Sequence, residues 1–291
     1  MAVIHVGTSG FSFADWVGPV YPPRLPKSQT LEYYERVLGF DSVELNFTYY
    51  TMPVARTLDA MVKRTGPAFT FAVRSHRDMT HDIWKDADRT ALANTDEAFA
   101  CFRAGIEPLV SAHRLGCVLV QFPSFFAPSE AHAGYLRRLP ELLPGVPVVV
   151  EFRNRSWVGP GAVGLLTELG LGYCVVDEPR LGPLLPFDPR ATSRVGYFRF
   201  HGRNRSWFGA GRSERYNYLY SKEELGEFLA PVRSVAAGTD STFVFFNNCH
   251  AGAAARNSLM MKQMLGLVEG LTREQSLVVD GLGSVGQLDI A

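Results

Sequence analysis

The chain lacks a charge imbalance: Lys plus Arg and Asp plus Glu both number 29, and the formal net charge is zero. That excludes whole-surface attraction to nucleic acid or to an anionic membrane, and leaves only a local patch for either. Cysteine is scarce. The four present (Cys101, Cys117, Cys174, Cys249) show no CxxC spacing, and three lie in or beside apolar runs. They read as reduced, buried thiols rather than a disulfide framework or a zinc knuckle. No apolar stretch approaches the ~18 residues of a membrane helix. The opening "MAVIHVGTSG" lacks the basic start and apolar segment of a signal peptide. No linker or low-complexity stretch divides residues 1–291. The expectation is one cytoplasmic domain, away from membranes, with no indication of oligomeric state.

What is present is a chain of 291 residues, 46% hydrophobic, enough for a large core. Eight short runs rich in β-branched and aromatic residues recur along it. They are "VIHVGTSG" from Val3, "SVELNFTYY" from Ser42, "FTFAVRSH" from Phe69, "CVLVQFP" from Cys117, "PVVVEFRN" from Pro147, "GYCVVDE" from Gly172, "VGYFRFHG" from Val195 and "TFVFFNN" from Thr242. Near-continuous apolar runs suit parallel strands covered on both faces. Helical patterns lie between most of them. Leu92, Thr95, Phe99, Phe102, Ile106 and Leu109 form one stripe, and Ser221 with Glu224 reads as a capping box. Pro160 suits a first helical position, and "AARNSLMMKQMLGLVEG" reads as the last helix. Residues 178–194, with four prolines, leave no room for a full helix. The pattern predicts a single α/β domain, a (β/α)8 TIM-type barrel with the helix between strands six and seven replaced by a Pro-rich loop; a doubly wound open sheet is the alternative.

In such barrels the site lies at the carboxyl ends of the strands, and here nearly every candidate strand ends in polar groups. Residues two apart share a face, which pairs Glu44 with Asn46, Glu151 with Arg153, and Arg199 with His201. Arg74, Gln121, Asp177 and Asn247 add one group each from other strands. Burying so many unpaired charges would cost several kcal/mol each, on the order of magnitude expected for groups removed from water, so a wet, ligand-accepting mouth is expected. The pentapeptide RNRSW occurs at residues 153–157 and again at 203–207, following the fifth and seventh runs. The flanking chain does not match, so the copies read as two walls of one pocket, each offering Arg and Trp.

The motifs "VGTSGFSFADWVGPVYP", "VELNFTYYTMP", "VRSHRDMTH", "LVQFPSFF", "VEFRNRSW", "FRFHGRN", "YNYLY" and "FNNCHAGAAARNS" follow one another along nearly the whole chain. In them the chain resembles the YecE-like family, a domain-of-unknown-function family (number 72). The resemblance implies a TIM-barrel fold and a site at the barrel mouth; it implies no activity. Arg74 and His76 depart from the family pattern, which more often has Lys followed by a variable residue. Only the first RNRSW, through Ser156 and Trp157, resembles a family motif.

The "GTSG" after the first strand is followed by prolines rather than a helix, so it reads as a turn with close backbone approach, not a phosphate loop. Glu44, Glu151, Asp177 and His201 are possible metal ligands, but Arg74, Arg153 and Arg199 would crowd a cation. The expectation is therefore no metal and no cofactor. The functional expectation is an enzyme (hydrolase, lyase or isomerase left open) acting on a small anionic ligand, phosphorylated or carboxylated and sugar-like. Glu151 and Asp177 would be acid and base and His201 a second proton-transfer group. Glu44, Asn46, Arg74, Gln121, Arg153, Trp157, Arg199, Arg203, Trp207, Tyr216 and Asn247 would bind it. Arg and aromatic residues interleave from Gly202 to Tyr220, which keeps a nucleic-acid enzyme or binder as the alternative. A lid over a small-molecule pocket is favoured there. A non-catalytic binding barrel is the third possibility.

Overall fold

Each of the eight apolar runs forms a strand in the computed structural model, which describes residues 2–182, 184–205 and 215–283. They are β1 (Val3–Thr8), β2 (Ser42–Leu45), β3 (Thr70–Arg74), β4 (Leu115–Gln121), β5 (Val148–Glu151), β6 (Gly172–Asp177), β7 (Val195–Phe200) and β8 (Ser241–Phe246). All pair in parallel, in the order β1-β8-β7-β6-β5-β4-β3-β2. A single bridge between Ser9 and Glu44, with the Gly10 N–H donating to the Glu44 carbonyl at 2.8 Å, brings β1 back to β2. The sheet is therefore a nearly closed barrel, not an open one. Gly7 permits that approach, because a Cβ there would stand 2.3 Å from the Ser42 carbonyl oxygen.

Eight α-helices are described: α1 (Thr30–Arg36), α2 (Ala55–Arg64), α3 (Asp96–Ser111), α4 (Glu130–Leu142), α5 (Pro160–Glu168), α6 (Lys222–Ala237), α7 (Ala253–Leu265) and α8 (Arg273–Asp280). The α3 stripe buries Phe99, Phe102, Ile106 and Leu109. Leu92 is in phase with it but lies outside the helix, bridged to Trp84. Pro160 opens α5, and Ser221 and Glu224 form the reciprocal cap of α6. The expectation that α7 is the last helix is overturned: α8 follows, started by a second capping box, Thr272 with Gln275. The described residues between β6 and β7 form neither helix nor strand. Phe187 covers that side instead, packing against Phe198 and, at 5.1 Å, Phe228 of α6.

Alternation along the strands decides which polar groups enter the barrel. His5 stacks on Phe243 inside it, and Tyr197 meets Phe245. Above that apolar floor, Glu44, Glu151 and Arg199 follow at the same parity and are fully buried. The opposite faces carry the phenylalanines that pack against the helices, such as Phe200 on Phe228.

Candidate functional site at the barrel mouth

Three carboxylates and three guanidinium groups meet where the strands end. Arg199 lies deepest, donating from Nη1 to Glu151 Oε2 at 2.6 Å and from Nη2 to Glu44 Oε1 at 2.7 Å. The Tyr197 hydroxyl donates to the other Glu44 oxygen at 2.6 Å. One layer up, Arg153 donates to Glu151 Oε1 at 2.5 Å and to Glu178 Oε2 at 3.0 Å. Its Nη2 lies 3.0 Å from His201 Nε2. The Leu185 N–H donates to the remaining Glu178 oxygen at 2.8 Å. The result is an alternating chain, Glu44–Arg199–Glu151–Arg153–Glu178, in which every carboxylate is satisfied twice.

The electrostatics follow from that wiring. Burial alone would raise the Glu151 carboxyl, but Arg153 and Arg199 outweigh it and hold the group well below the usual carboxylate range. Burial raises Glu178, against the opposing pull of Arg153. Burial, reinforced by Arg153, pushes His201 down to about 3. Its imidazole is therefore neutral, and since a guanidinium can only donate, Nε2 is an acceptor. The Asn247 side-chain amide lies 2.9 Å from Nδ1.

Arg74, at the end of β3, is different. Its Nη2 donates to Gln121 Oε1 at 2.6 Å, its guanidinium lies 4.0 Å from the centre of the Tyr49 ring, and its buried Nε has no partner. Among the described residues no carboxylate lies within ion-pair distance of it, in contrast to Arg153, Arg199 and Arg203. Burial first, and then Arg199, lowers its pKa. Close by, the Asn46 Oδ1 is also buried without a partner.

Glu44, Asn46, Arg74, Gln121, Glu151, Arg153, Arg199, His201 and Asn247 are thus brought together as the strand pairing indicated. Four expectations change. Asp177 does not face Glu151: Cys174, two residues from Val176 and four from Glu178, points to the Glu151 carboxylate with its Sγ 3.8 Å away, so the inward position belongs to Glu178. Asp177 points toward the helices, accepting two Arg203 Nε contacts at 3.0 and 3.1 Å and the Tyr220 hydroxyl at 2.6 Å. Arg203 accordingly serves Asp177, Glu224 and Glu227 rather than the mouth. Trp157 is no ligand wall: it is buried, stacked on Phe152 at 4.6 Å, with Nε1–H donating to the Phe126 carbonyl at 2.7 Å. The RNRSW copies therefore do not form matching walls; in the first, Arg153 enters the mouth while Arg155 donates to the Gly182 carbonyl. Trp207 lies outside the described residues. Tyr216 stays near the site, its ring 6.2 Å from that of His201. The group the sequence reading missed is Glu178; its signal was the alternation from Cys174.

A barrel of eight parallel strands with a charge network at the carboxyl ends defines a TIM-barrel-like protein with a candidate site in its mouth. The chain belongs to the family described as "Protein of unknown function DUF72", whose profile matches residues 5–277. It is 30% identical over 275 residues to the UPF0759 protein YunF of Bacillus subtilis, covering 90% of this chain and 95% of that one. A DUF72 family protein from Thermotoga maritima is 45% identical in its crystal structure, with a TM-score of 0.84 over 91% of this chain and 99% of that one. One from Enterococcus faecalis is 26% identical, with a TM-score of 0.77 over 92% and 97%.

Proposed function

We propose that the mouth binds a small anionic molecule, phosphorylated or carboxylated and sugar-like, and that the protein is an enzyme acting on it. The observation that carries this reading is Arg74: a largely buried guanidinium with an unpartnered Nε and no carboxylate among the described residues. A buried donor left unmade costs roughly 1–3 kcal/mol, more when charged, and an anion arriving at Arg74 would remove that penalty. Arg199 also has an unpartnered Nε, but Arg153, Arg199 and Arg203 are already paired with carboxylates, so they shape the field rather than grip a ligand. Glu151 is pinned between two arginines, and burial together with Arg153 holds His201 neutral, so neither is a free acid or base.

The test uses inorganic phosphate and malonate as probes, reading thermal stability and affinity at constant ionic strength. Ligand that binds only the folded state stabilises it by about 2.7 kcal/mol at 100 times Kd. Wild type should be stabilised by at least one probe. Arg74→Met should bind neither, yet be no less stable than wild type without ligand, since it removes an unpaired buried charge. Loss of stability in Arg74→Met with binding intact would refute the reading. Turnover of phosphorylated or carboxylated sugars separates an enzyme from a binding barrel, and a steep fall of affinity for single-stranded DNA with salt would favour the nucleic-acid alternative.

A further inference from the structure

The loop after β3 carries a group that the charge network leaves free. His81 sits edge-on to the Tyr49 ring, 4.9 Å between centres at an interplanar angle of 77°, and Tyr49 in turn covers the Arg74 guanidinium. The Thr80 hydroxyl lies 2.9 Å from His81 Nδ1. Thr80 is fully buried, and among the described residues this nitrogen is the one acceptor its O–H meets. A buried hydroxyl donates where it can, so Thr80 donates to Nδ1 and the ring proton sits on Nε2. No described group meets Nε2, and His81 keeps partial exposure.

We infer that His81 presents its Nε2–H beside Arg74 as an uncharged donor to a ligand oxygen, so that the anion site is one cation plus one neutral donor. This rests on the anion-binding reading above. The charged groups whose fields reach the ring are Arg74, Arg77, Arg153 and Asp82; burial first, and then Arg74, pushes it down to about 4. The imidazole therefore stays neutral across the physiological range. A neutral imidazole donor suits an oxygen that carries or develops negative charge, a carbonyl becoming an enolate or a carboxylate or phosphate oxygen, because it polarises without giving up its proton. It also explains why a histidine stands among arginines: a second cation in that spot would add to the repulsion that already lowers Arg74.

The experiment combines affinity for inorganic phosphate and malonate with nitrogen NMR of the histidine ring. The free protein should show the proton on Nε2 of His81, and that signal should shift on adding the probe. His81→Phe keeps the aromatic contact with Tyr49 and should weaken the probe about tenfold, the loss expected for one hydrogen bond to a charged group. His81→Gln, which can place an amide N–H near the same point, should recover most of it; a packing role alone would not be rescued this way. Thr80→Val frees the tautomer and should weaken binding less than His81→Phe. If Arg74→Met abolishes binding while His81→Phe binds like wild type, the inference falls and the anion site stands. If wild type responds to neither probe, or if both variants bind like wild type, both fall. A ring proton found on Nδ1 overturns the inference whatever the variants do.

Discussion

Arg153 holds more of the mouth together than any other side chain there, bridging Glu151, Glu178 and His201. Arg153→Met would strand two buried carboxylates, and breaking a buried pair in this way costs about 3–5 kcal/mol. Arg153→Lys retains the charge but replaces a planar fork with a point donor that cannot reach three partners, so an intermediate loss is expected. Chemical denaturation midpoints of the two variants check this; a Met variant as stable as wild type would mean the network is wet and weak. The histidines give a second residue-scale test. An ordinary histidine titrates near 6.5, whereas His201 is held down to about 3 and His81 to about 4. Between those values the unfolded chain binds protons that the folded one refuses, so stability is highest above the unfolded pKa and is lost as pH falls. The fully buried His201 contributes about 1.4 kcal/mol per pH unit in that window, and the partly exposed His81 less because solvent screens it. His201→Asn or His81→Phe should therefore flatten the fall between pH ~6.5 and ~4.5, measured by urea unfolding at several pH values. An unchanged slope would mean that the removed ring was already charged in the fold. Below that window, protonation of Glu151 adds a loss of the same sign.

At the level of the strand, the adjacent acids where β6 ends, Asp177 in it and Glu178 just past it, show what could and could not be read in advance. The run "GYCVVDE" is apolar on both faces because helices or loops cover one side and the barrel interior the other. Alternation in hydrophobicity, which would say which face is which, is therefore absent from such a strand. Parity relative to Cys174 becomes informative only once one contact is fixed. The hydrogen bonds separate the roles: Asp177 ties β6 to Arg203 and Tyr220, while Glu178 reaches Arg153. Asp177→Asn should lower the melting temperature and leave phosphate or malonate affinity unchanged. Glu178→Gln should alter affinity, because Arg153 loses a charged partner. Equal effects of the two on affinity would contradict the assignment of faces. Trp157 failed for a related reason. Its neighbours in sequence say nothing about Phe126 and Phe152, which stack on it only after β4 and β5 are aligned. The start of α8 was missed for a different reason: "TREQ" at residues 272–275 has capping-box spacing, but that signal was passed over.

For the molecule as a whole, the barrel was legible because its signals are local and repeated: eight apolar runs, caps between them, and one proline-rich gap. The convergence of Glu44, Glu151, Arg153, Arg199 and His201 was legible as well, since strand ends in a parallel barrel share one rim. Which of these groups satisfy one another was not, because Arg199 and Glu44 are 155 positions apart and meet only across the barrel. The gap between β6 and β7 leaves the Pro-rich segment in direct contact with the charge network. Between every other pair of consecutive strands at least one helix is described. Here the same short segment that forms the outer skin also supplies, at Leu185, a main-chain amide to the Glu178 carboxylate. Glu178 in turn contacts Arg153, and Arg153 lies 3.0 Å from His201. Because the donor at Leu185 is a main-chain amide, a change of side chain there leaves the contact to the charge network in place, and only a proline would delete it.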